Sequence, residues 1–214
     1  MTPNFAQAVD PIFLYVLGLL ERMNGDQTLV PQDERARIRG LIDQGQALVG
    51  ASDEWELIKY ALVSWIDEML VETPWDGRDW WSNNVLEVEL FNTRLCNEEF
   101  YARAREASTH ARRDALEVFY VCVVLGFRGL YRDPAMAAVL TQSQELPPDL
   151  ETWARQVVMS IRLGQGRPQL AGPAREIRGA PPQRVRSLVV WSWMGVGMLS
   201  LTLAVSYSLW FSKP

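Results

Sequence analysis

The chain has 214 residues, 48% of them apolar, and carries 26 acidic against 21 basic side chains for a formal net charge of −5. That length holds one domain with an appendage, and the acidic balance argues against nucleic acid as a partner. With a single histidine, His110, and two cysteines, Cys96 and Cys122, without metal-ligand spacing, no zinc site is expected, and in a reduced compartment both cysteines are expected to be buried thiols rather than a disulfide.

Apolar residues recur at helical spacing and no long stretch alternates with period two, so the body is expected to be all-α, with about seven helices. Asp10-Pro11 has the form of an N-cap and first-turn pair, opening a helix through Phe13, Leu14, Leu17 and Leu20. A second helix is expected from Pro31 to about Val49, bearing Ile38, Leu41, Ile42 and Leu48. Ser52 is suited to cap a third, in which Asp53 and Glu54 occupy the first turn and Trp55, Ile58, Leu62, Trp65 and Met69 form a stripe. Leu57, Tyr60, Ser64, Asp67 and Val71 make its other side partly apolar as well, the mark of a central helix. After a turn at Thr73 to Gly77, Trp81, Val85, Val88 and Phe91 predict one fourth helix, and Asn97-Glu98-Glu99 opens a short fifth. A sixth spans about Arg112 to Phe127, a short turn of helix covers Pro134 to Leu140, and Leu150, Trp153, Val157 and Ile161 mark a seventh.

The body therefore occupies residues 1–165, and residues 166–187 form a Pro/Gly/Arg-rich juxtamembrane linker. Residues 188–211 contain no charged side chain and would extend roughly 36 Å as a helix, enough to cross a hydrocarbon core of about 30 Å. Trp191, Trp193, Tyr207 and Trp210 lie near the two ends, at the level of an aromatic belt. The apolar run lies at the wrong end for a cleavable signal peptide, so a tail anchor is expected. Arg175, Arg178, Arg184 and Arg186 precede the span and only Lys213 follows, within the short periplasmic tail 212–214; the body then stays in the cytoplasm. Residues 1–171 hold 16 basic against 25 acidic side chains, a balance of −9, so the body is expected to avoid nucleic acid and anionic lipid, and only the juxtamembrane collar to favour anionic headgroups.

The adjacent acids Asp67 and Glu68 invite a catalytic reading, but consecutive helical side chains diverge by about 100° and cannot share a proton. Glu68 and Glu72, four residues apart, can meet on one face. No phosphate-cradling Gly-rich loop, nucleophile elbow or His/Cys cluster accompanies them, and His110 reads as a helix-start polar residue. No catalytic residue, metal or cofactor is expected. Trp75, in a turn between Pro74 and Asp76-Gly77, fits equally a clamp between helices and the wall of a recognition cleft.

Three blocks in order carry a resemblance: Ala61 to Glu68 followed by Thr73-Pro74-Trp75; Phe91-Asn92 with Glu98-Glu99-Phe100-Tyr101; and Leu116 to Tyr120 leading into Leu125-Gly126-Phe127-Arg128-Gly129-Leu130-Tyr131-Arg132. Together they resemble the DotU/TssL (IcmH/DotU) family, inner-membrane subunits of bacterial type VI secretion systems with relatives in type IVB secretion, over most of residues 10–165. Cys96-Asn97 departs from the family's Gly-rich pair, and Arg128 stands where an acidic residue is common. Ending at Pro214, the sequence is not expected to carry the peptidoglycan-binding extension that some members have beyond the span.

The resemblance implies two small helical bundles forming a hook, no enzymatic activity, and assembly in the inner membrane with an IcmF/TssM-like subunit. Through that subunit it implies indirect contact with an outer-membrane lipoprotein, and through the cytoplasmic body the docking of baseplate proteins. By positional match Asp67, Glu68, Glu72 and Trp75 are candidate partner-binding residues of a cleft, while Asp67 suits equally the bracing of neighbouring helix ends. Gly195 and Gly197 leave room for a homodimer contact in the span, although their spacing is not small-xxx-small. A DotU-like stabilising subunit of type IVB secretion is the nearest alternative. A tail-anchored Bcl-2-like regulator is the next, though its groove should be basic where this body is acidic.

Overall fold

The structure, a computed structural model, describes residues 1–25 and 28–164 together with Trp193, Met194, Met198, Ser200 and Thr202. Among the described residues the regular secondary structure is helical, with no strand. The chain divides into two compact units, residues 1–168 and 169–214. In the second, the five described residues are helical, with Trp193, Met194 and Met198 exposed. The expected span over 188–211 otherwise lies outside the described residues, as do Trp191, Tyr207, Trp210 and the four arginines of the collar.

In the first unit, α1 (Pro3–Met23) packs along α2 (Pro31–Val49). The first helix starts seven residues before the expected Asp10, and Pro11 sits inside it. Phe5, Ala8 and Val9 extend the buried stripe of Ile12, Val16 and Leu19, and that burial outweighs the one backbone hydrogen bond a proline removes. Leu14, expected on the apolar face, is 70% exposed; Ile12 and Phe13 take the core positions instead. Among the described residues α1 is also the helix long and apolar enough to cross a membrane. Its stripe is nevertheless closed inside the body, with Val9, Ile12, Val16 and Leu19 inaccessible.

Helix α3 (Asp53–Glu72) is the axis of the unit, packing against α2, α4 (Arg78–Asn83), α5 (Leu86–Phe91), α6 (Cys96–Ala107) and α7 (Asp114–Val124). Ser52 caps it as its sequence predicts, its hydroxyl accepting the Trp55 backbone N–H at 3.1 Å. Of its residues, thirteen are buried, including Trp55, Trp65 and Tyr60, because neighbours cover it on several sides. A short 3-10 turn (Gly129–Arg132), α8 (Pro134–Ser143) and α9 (Leu150–Gly164) complete the unit, α9 lying on α7. One apolar core runs through all of it.

The single fourth helix expected over Trp81 to Phe91 is two helices, α4 and α5, broken at Asn84-Val85. The break has a partner: the Asp67 carboxylate receives the N–H groups of Leu86 and Glu87, the first two of α5. A side chain from another helix thus caps a new helix start, which no pattern local to residues 78–91 encodes. The sixth expected helix is likewise shorter, Asp114–Val124, ending ahead of Gly126 at φ +116 and Gly129 at φ +50.

Candidate functional site

The last turns of α3 place Asp67 and Glu68 side by side and aim them apart, as consecutive helical positions must. Asp67 is 4% exposed. Its Oδ1 accepts the Trp81 indole N–H at 2.9 Å and the Leu86 N–H at 2.9 Å, and its Oδ2 accepts the Glu87 N–H at 2.8 Å. Burial pushes its pKa up to about 6; the three hydrogen bonds oppose that shift and the nearby Glu87 charge adds to it.

Glu68, 7% exposed, turns to the Gly126–Arg132 segment. Its Oε1 accepts the Arg128 N–H and an Arg132 guanidinium N–H, each at 2.7 Å, and its Oε2 accepts the Gly129 N–H at 2.9 Å. The turn itself needs its glycine: at Gly129 a Cβ would meet the Phe127 ring at 2.8 Å and the Asn97 carbonyl at 3.1 Å, on a left-handed backbone. Phe127 stacks on Phe100 with centroids 3.9 Å apart, and the Tyr101 hydroxyl donates to the Arg128 carbonyl at 2.7 Å. The Arg128 backbone is therefore held on both sides while its side chain is exposed.

Glu72, one turn beyond Glu68, is half exposed and pairs with Arg132, which also holds Glu68. The two glutamates expected to share a face are thus joined by a guanidinium rather than left in repulsion. Burial works against the charged Arg132, but its hydrogen bonds and ion pairs with Glu68 and Glu72 outweigh burial and raise its pKa.

A third buried acid completes the wall. Glu87, 2% exposed, accepts the Tyr60 hydroxyl at 3.1 Å, the Thr93 hydroxyl at 2.7 Å and the Leu95 N–H at 2.9 Å through one oxygen.

Asp67, Glu68, Glu72 and Glu87, with Arg94 and Arg132, line one cleft of about 280 Å³. Three of these carboxylates are occupied by internal donors, so the cleft presents chiefly Glu72, Arg132 and Arg94 to solvent. Trp75 is not in this cleft. Its indole N–H donates to the Leu70 carbonyl at 2.8 Å, its ring lies 6.4 Å from that of Trp81, and it lines a separate hollow of about 220 Å³ with Met23, Leu29 and Pro74.

The sequence pattern does not by itself mark Glu87, Arg94 or Arg132 as residues of the cleft. Arg132 closes the third resemblance block, and an acid between Leu86 and Val88 in a short apolar helix was the signal for Glu87. Among the described residues no group of His, Cys, Asp and Glu is placed to hold a metal ion. Burial raises the pKa of both Cys96 and Cys122 above the usual thiol range.

A family model described as "Type VI secretion system protein DotU" matches residues 4–211. Among solved structures, the cytoplasmic domain of TssL from Acinetobacter baumannii is similar at a TM-score of 0.60 and 24% sequence identity, over 76% of this chain and 99% of that one. That likeness extends to the fold. No curated protein matches the chain.

Proposed function

Because the chain belongs to the DotU family of type VI secretion system proteins, we propose that it is a non-enzymatic structural subunit of that system's membrane complex. In this reading the helical body faces the cytoplasm and residues 188–211 anchor it in the bacterial inner membrane, oriented by the arginines at 175, 178, 184 and 186. Trp191, Trp193, Tyr207 and Trp210 sit at the two interfaces. An IcmF/TssM-like subunit is its membrane partner and links it to an outer-membrane lipoprotein, while the body docks baseplate proteins.

The observation that carries the docking role is the cleft at the end of α3, whose walls are fixed before any partner arrives. Asp67 and Glu68 contribute by holding α5 and the Gly126–Arg132 segment in place, and Glu72 and Arg132 contribute the charges that a partner meets. An exposed ion pair is weakly held, about 0–1 kcal/mol. Glu72 can therefore leave Arg132 for a partner at small cost while Arg132 stays on the buried Glu68, and such rim charges set orientation and association rate. Trp75, in its own hollow, supplies a second, aromatic contact.

Affinity purification of the full chain from native membranes tests the proposal. The expected result is recovery of a large inner-membrane subunit and baseplate chains, with Glu72→Lys losing the baseplate chains and keeping the membrane subunit. Reproducible absence of both from wild-type preparations would overturn the membership in a membrane complex, and an unchanged partner set for Glu72→Lys would overturn the role of the cleft.

A further inference from the structure

The solvent-facing stripe of α9 changes character along its length. It begins with Glu151 and continues through Arg155, Gln156, Met159, Arg162 and Leu163, with no acid after Glu151. Met159 is 61% and Leu163 83% exposed, while Trp153, Val157 and Ile161 on the opposite side are buried in the body. The last two turns thus place two large apolar side chains, Met159 and Leu163, among Gln156 and Arg162 on a side that the body does not cover. Arg155 lies 3.8 Å from Glu151 at an exposed site, and Arg162 has no ion-pair partner among the described residues.

What lies beyond α9 narrows the choice of occupant. Residues 165–187 carry five arginines and one acid, and they lead directly into the uncharged run 188–211. A helix end tethered by so short a segment to a membrane span stays within reach of the bilayer surface, at an effective concentration that makes a weak contact sufficient. The balance of −9 over residues 1–171 leads one to expect the body to avoid anionic lipid, but this end of α9 is locally basic. Exposed Arg155 and Arg162 beside Met159 and Leu163 suit that surface, since guanidinium groups seek anionic headgroups while the apolar side chains enter the headgroup boundary.

We propose that the last two turns of α9 lie against the anionic lipid surface of the membrane, with Met159 and Leu163 at the headgroup boundary and Arg155 and Arg162 on phospholipid headgroups. The proposal rests on the reading of residues 188–211 as a membrane span. The contact would fix the body's orientation relative to the bilayer, which a single span on a Pro/Gly-rich linker leaves open.

The test uses the full chain in lipid nanodiscs, with isotope-labelled methionine methyl groups and a lipid bearing a nitroxide at its headgroup. Met198 reports the tail, Met159 reports α9, and Met23, buried in α1, is the internal reference. The expected result is broadening of Met198 and Met159 but not Met23 in phosphatidylglycerol-containing discs. Arg155→Ala and Arg162→Ala should each weaken the Met159 effect roughly fivefold. Broadening of Met198 without Met159 would overturn the proposal and leave the span intact; loss of the Met198 effect would remove the span reading on which it rests. A Met159 effect equally strong in pure phosphatidylcholine discs would overturn the role of headgroup charge. A Met159 change that depends on a second copy per disc or on added partner protein, without nitroxide broadening, would reassign the face to a protein interface.

Discussion

The Trp81 indole N–H donates to the Asp67 carboxylate at 2.9 Å with both side chains closed to solvent. The same carboxylate caps α5, so one acid joins the ends of three helices. Replacing it leaves two backbone N–H groups and an indole without an acceptor in the interior. Asp67→Ala is expected to cost about 3 kcal/mol, read from the urea midpoint of unfolding. A loss below about 1 kcal/mol would show that water or rearrangement replaces the brace.

The titration of Asp67 gives a signed expectation. Its pKa is pushed up to about 6 in the fold, from an ordinary 3.8. The native state then binds more protons than the unfolded chain between about pH 4 and 6, and this group's contribution to stability falls as pH rises through that window. Asp67→Asn removes the contribution, so the stability difference between wild type and variant should change across pH 4 to 6 and stay flat above about 7. Unfolding curves of both proteins at several pH values measure it, and a difference independent of pH would contradict the assignment.

Neighbouring glutamates should separate fold from docking. Glu68 is buried and accepts two backbone N–H groups, and Glu68→Ala is expected to cost about 3 kcal/mol. Glu72 is exposed, and Glu72→Ala should cost less than about 1 kcal/mol while still weakening partner recovery. Thermal melts of the two variants beside their pull-downs make the comparison; equal destabilisation would undo it.

Close approach of α1, α2 and α3 depends on Gly45. A Cβ there would sit 2.6 Å from the buried Trp55 ring and 3.1 Å from the Ala8 carbonyl. Neither a packed indole nor a helix backbone yields easily, so Gly45→Ala should destabilise by about 1–3 kcal/mol despite alanine's better helix propensity. Gly40, in the same helix with nothing within 4 Å of its added Cβ, is the control, and Gly40→Ala should stabilise.

The Ser52 cap supplies a smaller expectation. Ser52→Ala removes the acceptor of the Trp55 N–H and should cost about 1 kcal/mol, measured by the same denaturation.

Much of this fold is legible along the chain where local rules act alone. The Ser52 cap, the two-sided apolar pattern of α3 and the Pro31 start of α2 are written in contiguous residues. Elements governed by distant groups are not. The α4–α5 break answers to Asp67, nineteen or more positions away, and Pro11 continues a helix because buried neighbours before it outweigh its missing donor. The site divides the same way: the carboxylates Asp67, Glu68 and Glu72 were visible as a cluster, but only their partners show which are spent inside. The separation of Trp75 from that cluster is set by the turn at Pro74, whose path the sequence leaves open.

Asp67 and Glu68 grip segments on different sides of one rigid helix, and this has a mechanical consequence. The two carboxylates leave the α3 axis about 100° apart, so a small roll of α3 would carry both segments round with it in the same sense. Load applied at the Gly126–Arg132 turn would reach the start of α5 through a single peptide unit. The body is geared at that point: its two walls cannot shift independently while both acids keep their donors.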